Sequence, residues 1–112
     1  MQRSFLHVAA AAISICIAAL VVPSSLRAQT DAAKTYKANC VLCHSANGSG
    51  DSSSGKALKA KDLRSDEVQK KSDAELADFI TKGQGKMPAF GSKLSPDMIK
   101  ALVAYIRAMP KK

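Results

Sequence analysis

The chain has 112 residues, 17 basic against 9 acidic, a net charge of +8, no tryptophan and two tyrosines. That length allows one small domain. The basic balance favours acidic partners, while the scattered charges and the lack of a nucleic-acid-binding motif exclude nucleic acid.

Residues 1–28 read as a secretory signal. Arg3 gives a basic start, an uncharged run follows from Val8 to Val22, and Pro23, two serines and Ala28 close it. The run is shorter than the ~20 residues of a membrane-spanning helix, so cleavage after Ala28 is expected, not a retained anchor. Ile15 is too bulky to precede a lipoprotein cut at Cys16. Export to the periplasm leaves residues 29–112 as the folded domain, with 15 basic and 9 acidic side chains and a net charge of +6. Such a small domain is marginal without a disulfide, a metal or another brace. With few large core side chains, its centre calls for a cofactor. Free thiols oxidise outside the cytoplasm, so Cys40 and Cys43, left once Cys16 departs, should be paired or otherwise consumed.

The first helix is expected at residues 31–39, capped by Thr30, with Asp31 at the positive end of its dipole. Ala32, Tyr36 and Cys40 would share one face. Residues 45–65, rich in serine and glycine, read as a long loop wrapped around something, with Leu58 and Leu63 as inward anchors. One or two helical turns are expected from Ser65, with Asp66 and Glu67 at their start. A stronger helix spans 72–83, with a Ser72/Glu75 capping box, a Leu76, Phe79, Ile80 face and Gly83 as a left-handed cap. Residues 84–94 return to loop. The last helix starts at the Ser95 cap with Pro96 in its first position. Met98, Leu102, Tyr105 and Met109 form its stripe, broadened by Ile99 and Ile106, and Pro110 ends it. The fold class is all-α, three or four helices with long loops.

The chemistry lies in Cys40-Val41-Leu42-Cys43-His44. A redox dithiol would place C-x-x-C at a helix start within a βαβ pattern. Here the pair falls at a helix end and no such pattern surrounds it. Structural zinc wants four ligands, and Cys40, Cys43 and His44 make three, since His7 leaves with the signal. C-x-x-C-H is the attachment signature of a c-type haem, with two thioether links and His44 as an axial ligand of the iron. The other ring nitrogen of His44 should donate to a carbonyl of the 45–65 loop. Of the mature methionines, Met98 and Met109 belong to the apolar stripe of the last helix and read as core. Met87, in the polar loop Gly85-Lys86-Met87-Pro88-Ala89-Phe90, has another reason to turn inward. Its thioether is a soft donor suited to haem iron.

With these residues placed, the mature chain resembles a class I c-type cytochrome of the short bacterial and photosynthetic type, whose methionine loop also reads M-P-A-F. The resemblance covers nearly all of residues 30–109. It implies a small cytochrome c fold around one covalent haem c, with Cys40 and Cys43 as thioether anchors and His44 and Met87 as iron ligands. It implies that the first helix crosses the last near a right angle, Ala32 and Tyr36 meeting Leu102 and Tyr105. The family often has glycine at Ala32, which implies a slightly wider crossing here. Many members carry a proline whose carbonyl accepts from the ligand histidine, but none stands between His44 and Met87.

A closed His/Met site suits outer-sphere transfer of one electron, and no catalytic base or nucleophile is evident, so the chain reads as a carrier and not an enzyme. Lys37, Lys56, Lys59, Lys61, Lys82, Lys86 and Lys93 would form a basic rim for acidic redox partners, such as a membrane oxidoreductase or a terminal oxidase or reductase. The expected product is a monomer without stable membrane insertion. The alternatives are a ligand-sensing or catalytic haem domain with a displaceable Met87, and a non-haem metal or dithiol module.

Overall fold

The computed structural model describes residues 20–111. The basic start and most of the apolar run of the expected signal, with His7 and Cys16, lie outside the described residues. Among the described residues there are six helices and no strand: α1 (Ser24–Asn39), α2 (Val41–His44), α3 (Ser53–Leu58), α4 (Asp66–Gln69), α5 (Asp73–Lys82) and α6 (Pro96–Arg107). The all-α expectation holds, with more helices than the three or four expected because two short ones were not anticipated.

The first helix starts seven residues earlier than expected. It follows Pro23, and Ala, Leu, Arg and Gln in its first turns are good helix formers with no breaker among them. Thr30 therefore does not cap it; its hydroxyl donates back to the Leu26 carbonyl at 3.0 Å. Residues 24–30 are all exposed, and the first buried residue is Ala32.

The 45–65 segment is not irregular throughout. The Ser52 hydroxyl accepts from the Gly55 N–H and starts α3, and Lys59 ends it in the left-handed conformation at φ 56°. Serine serves turns and helix caps alike, so composition alone hid the cap. Residues 66–69 form the short helix expected, capped by Ser65. The Ser72/Glu75 capping box of α5 is present; Gly83 follows with positive φ (71°) but ψ 173°, an extended glycine conformation and not the left-handed cap expected. Ser95 caps α6 with Pro96 at its start, and the helix closes at Ala108, two residues before Pro110.

The core forms where α1 packs on α6, and α5 packs on α6 as well. Ala32 and Tyr36 are completely or almost completely buried, as is Leu102. The Tyr36 and Tyr105 rings lie 5.2 Å apart and tilted by 45°, an arrangement favoured by the ring quadrupoles. The four residues expected to meet at the crossing are therefore in the core cluster or packed against it. Met98 and Met109 pack beside them, as core methionines should.

Arg107 straps the end of α6 to the α4–α5 link. Its guanidinium donates to the Gln69 carbonyl at 2.9 Å, to the Lys71 carbonyl, and to Asp73 at 3.0 Å. Arg107→Met should strand those two carbonyls and destabilise the domain by about 1–3 kcal/mol. Thermal unfolding checks this: at this size, each kcal/mol lowers Tm by roughly 4–8 °C.

Candidate functional site

Cys40 is both the C-terminal cap of α1 and the residue from which α2 starts. Its carbonyl accepts from the Cys43 N–H at 3.2 Å and the His44 N–H at 2.8 Å, so two thiols and an imidazole occupy a single turn. Both cysteines are free thiols. Burial, and after it the neighbouring Cys43, push the Cys40 thiol up to about 11. Among the described residues, no group of three or more His, Cys, Asp or Glu side chains is arranged to hold a metal ion.

The acceptor for His44 is the Lys61 carbonyl, 3.0 Å from Nδ1. It lies within the 45–65 segment, as expected, and supplies the contact without a proline. Backbone packs directly on backbone to put it there. Gly50 N–H donates to the His44 carbonyl at 2.9 Å, and Ala60 N–H donates to the Gly55 carbonyl at 2.8 Å. Gly55 is buried so tightly that an added Cβ would meet the Cys43 and Gly50 carbonyl oxygens at 2.2 and 2.4 Å. On the other flank, the Tyr36 hydroxyl donates to the Ser45 carbonyl at 2.7 Å. Burial first, then Cys40 and Tyr105, raise the Tyr36 phenol above its ordinary range, so it remains a donor.

Met87 closes a tight turn. Gln84 and Met87 exchange backbone hydrogen bonds of 3.1 and 2.9 Å. Gly85, the first central residue, has φ 56° while Lys86 is not left-handed, the pattern of a type II′ turn. Phe90 N–H and Gly91 N–H donate to the Ile80 and Thr81 carbonyls at 2.9 and 3.0 Å, which fastens the far end of the loop to α5. Met87 is half-buried there.

Cys40, Cys43, His44 and Met87 all line one cavity of about 620 Å³. Val68, Leu76, Ile80, Leu102 and Ile106 complete its apolar wall. Leu58 and Leu63, the expected anchors, line it as well. Leu58 is nonetheless 40% exposed, so it sits at the mouth. This donor set fits a porphyrin. Two thiols stand one turn apart, an imidazole is held through Nδ1, and a thioether shares the same apolar wall.

The basic rim differs from the one read in the sequence. Lys59, Lys61 and Lys86 line the cavity, whereas Lys37, Lys56, Lys82 and Lys93 do not. Lys61 pairs with Glu67 at 2.8 Å and Lys82 with Asp78 at 3.0 Å. Lys71, missed in the sequence, joins the rim with its ammonium 5.2 Å from the centre of the Phe79 ring. Its place depends on the turn into α5, which composition does not encode.

Three comparisons bear on the site. The profile of the family described as cytochrome C oxidase, cbb3-type, subunit III matches residues 27–106. Cytochrome c6 of Microcystis aeruginosa is 38% identical over 82 residues, which cover 73% of this chain and 98% of that one. The cbb3-type cytochrome c oxidase subunit FixP of Azorhizobium caulinodans is 36% identical over 89 residues, which cover 78% of this chain but 29% of FixP. A solved structure described as KustC0563 c-type cytochrome superposes with a TM-score of 0.66 at 34% identity, covering 72% of this chain and 98% of that one.

Gly55→Ala forces a carbon against two carbonyl oxygens and should cost at least the ~1–3 kcal/mol of an overpacked interior. Gly85→Ala, whose added carbon meets nothing within 4 Å, bears only its backbone strain. Unfolding midpoints followed by circular dichroism should rank Gly55→Ala well below Gly85→Ala.

Proposed function

The chain belongs to the class I c-type cytochromes, electron carriers with a covalent haem c, and from that premise we propose a periplasmic one-electron shuttle with His44 and Met87 as axial ligands. One observation carries the reading: the C-x-x-C-H turn and Met87, 43 positions apart in numbering, line the same apolar cavity. Cys40 and Cys43 would hold the group through thioethers, and His44 and Met87 would ligate its iron. When bound, the haem supplies the ferrous/ferric couple.

The chain's own part is to keep both axial side chains still. The Lys61 carbonyl fixes the His44 ring and its tautomer, and the closed turn at Gln84–Met87 fixes the thioether. The apolar wall keeps water away and, with the thioether, favours the reduced state, which raises the potential. A turn fastened at both ends also argues against the alternative in which Met87 is readily displaced by a small ligand. The carrier reading, as opposed to an enzyme, is supported by the relatives, c-type cytochromes of similar length.

Export is part of the proposal. A cut after Ala28 would fall inside α1, yet it would remove no buried residue among those described, because burial begins at Ala32. Residues 29–112 would then form the mature monomer. Among the described residues, no helix is long and apolar enough to cross a membrane. Lys59, Lys61, Lys71 and Lys86 at the cavity mouth suit an acidic redox partner. FixP bears the name of an oxidase subunit, which supports a terminal oxidase or another membrane oxidoreductase as the partner class.

Met87→Ala should leave the haem attached, lower its reduction potential and open the iron to carbon monoxide. A redox titration followed by visible spectroscopy tests this, and an unchanged potential removes Met87 from the site. Lys86→Glu should slow electron transfer to an acidic partner several-fold at low ionic strength and match the parent at high salt. Stopped-flow kinetics across a salt series measures the difference.

A further inference from the structure

We propose that Gly50 is a positioning residue for the axial histidine: it is the spacer that sets the distance from His44 Nδ1 to the Lys61 carbonyl, and through it the reduction potential. This rests on the reading of His44 as an iron ligand. Gly50 touches both partners of that hydrogen bond. Its N–H donates to the His44 carbonyl at 2.9 Å. On its other side it is buried against the Ala60 and Lys61 carbonyls, the second of which is the acceptor. A Cβ at this position would stand 2.8 Å from the Ala60 carbonyl oxygen, 3.2 Å from the Lys61 carbonyl oxygen and 3.4 Å from the Ala60 carbonyl carbon. None of these is the end of a flexible side chain, so relief has to come from moving the main chain at Ala60 and Lys61, the acceptor carbonyl included. The His44 backbone stays tied to Gly50 while that main chain retreats, and the Nδ1 hydrogen bond of 3.0 Å lengthens.

The sign follows from the electronics of the imidazole. A donated Nδ1–H makes the ring a stronger base toward the metal and favours the ferric state. Lengthening the bond weakens that donation and moves the potential upward. A proline in this loop would stiffen the acceptor peptide from within. This chain, with none between His44 and Met87, holds the peptide from outside with a residue that has no side chain.

Gly48 supplies a matched control. Gly48 and Gly50 have similar positive φ values, 82° and 70°, so alanine is strained at either position. A Cβ on Gly48, however, would meet the side chains of Met109, Leu63 and Arg64 and not the Ala60 and Lys61 carbonyls. Both alanine variants should lose stability, but only Gly50→Ala should change the histidine.

The experiment is a redox titration of the haem-loaded protein together with proton NMR of the His44 ring, on the parent, Gly48→Ala, Gly50→Ala and Gly50→Asn. Asparagine carries the same Cβ and tolerates positive φ better, so it serves if the alanine variant does not fold. The expected result is a higher potential and a moved Nδ1–H resonance in the Gly50 variants, with both unchanged in Gly48→Ala. Parent values in folded Gly50 variants would overturn the proposal, as would equal shifts in Gly48→Ala. If the parent's own His44 ring shows no iron-shifted resonances, the ligation reading falls first and the proposal with it.

Discussion

A 3.0 Å hydrogen bond from the His44 ring to the Lys61 carbonyl joins two parts of the chain 17 residues apart. A carbonyl is a suitable partner because it has no rotamers of its own. Once the Lys61 carbonyl is placed, the ring tautomer and its tilt follow. The placement is achieved by main chain resting on main chain. Gly55 stands against the Cys43 carbonyl, and Gly50 against the Ala60 and Lys61 carbonyls. Side chains in those gaps would hold the segments further apart, and the ring would lose its acceptor.

The core and the site are not separate devices. Tyr36 is buried where α1 meets α6, stacks near Tyr105 and lines the cavity, yet its hydroxyl ends on the carbonyl of the residue after His44. The packing that stabilises the domain thus also orients the chain leaving the C-x-x-C-H turn. Leu102 and Ile106 play a similar double part, facing the core cluster and the cavity at once. A domain with no tryptophan and two tyrosines gains its interior by closing these side chains around a bound group.

Much of this was legible in the sequence where the signal was local. Capping at Ser72 and Ser95 depends on residues within three positions, and both helix starts appeared as expected. The five residues from Cys40 to His44 carry their chemistry in their spacing, and Met87 stood out as an apolar residue in a polar loop. Non-local or degenerate signals were harder to see. Ser52 looked like every other serine in its loop, so α3 stayed hidden. Thr30 looked like a cap, but the chain before it is equally helical, and its hydroxyl was free to bond within the helix. The Lys61 carbonyl had no sequence signature, since every residue has one. The lysines were counted correctly but could not be sorted without knowing which of them reach the cavity.

The His44 and Met87 side chains are held by unequal means, which bears on which side of the cavity yields first. His44 ends the helical turn that starts at Cys40, and its ring is hydrogen-bonded to a segment packed through buried glycines. Met87 depends on a four-residue turn whose central residues, Gly85 and Lys86, are exposed, and on two backbone bonds from Phe90 and Gly91 to α5. Exposed turns open at less cost than buried main-chain contacts, because water can replace the bonds they lose. Heat or denaturant should therefore release the methionine side before the histidine side. Even this weaker side is fastened at both ends, so the Met87 turn is restrained in the folded chain.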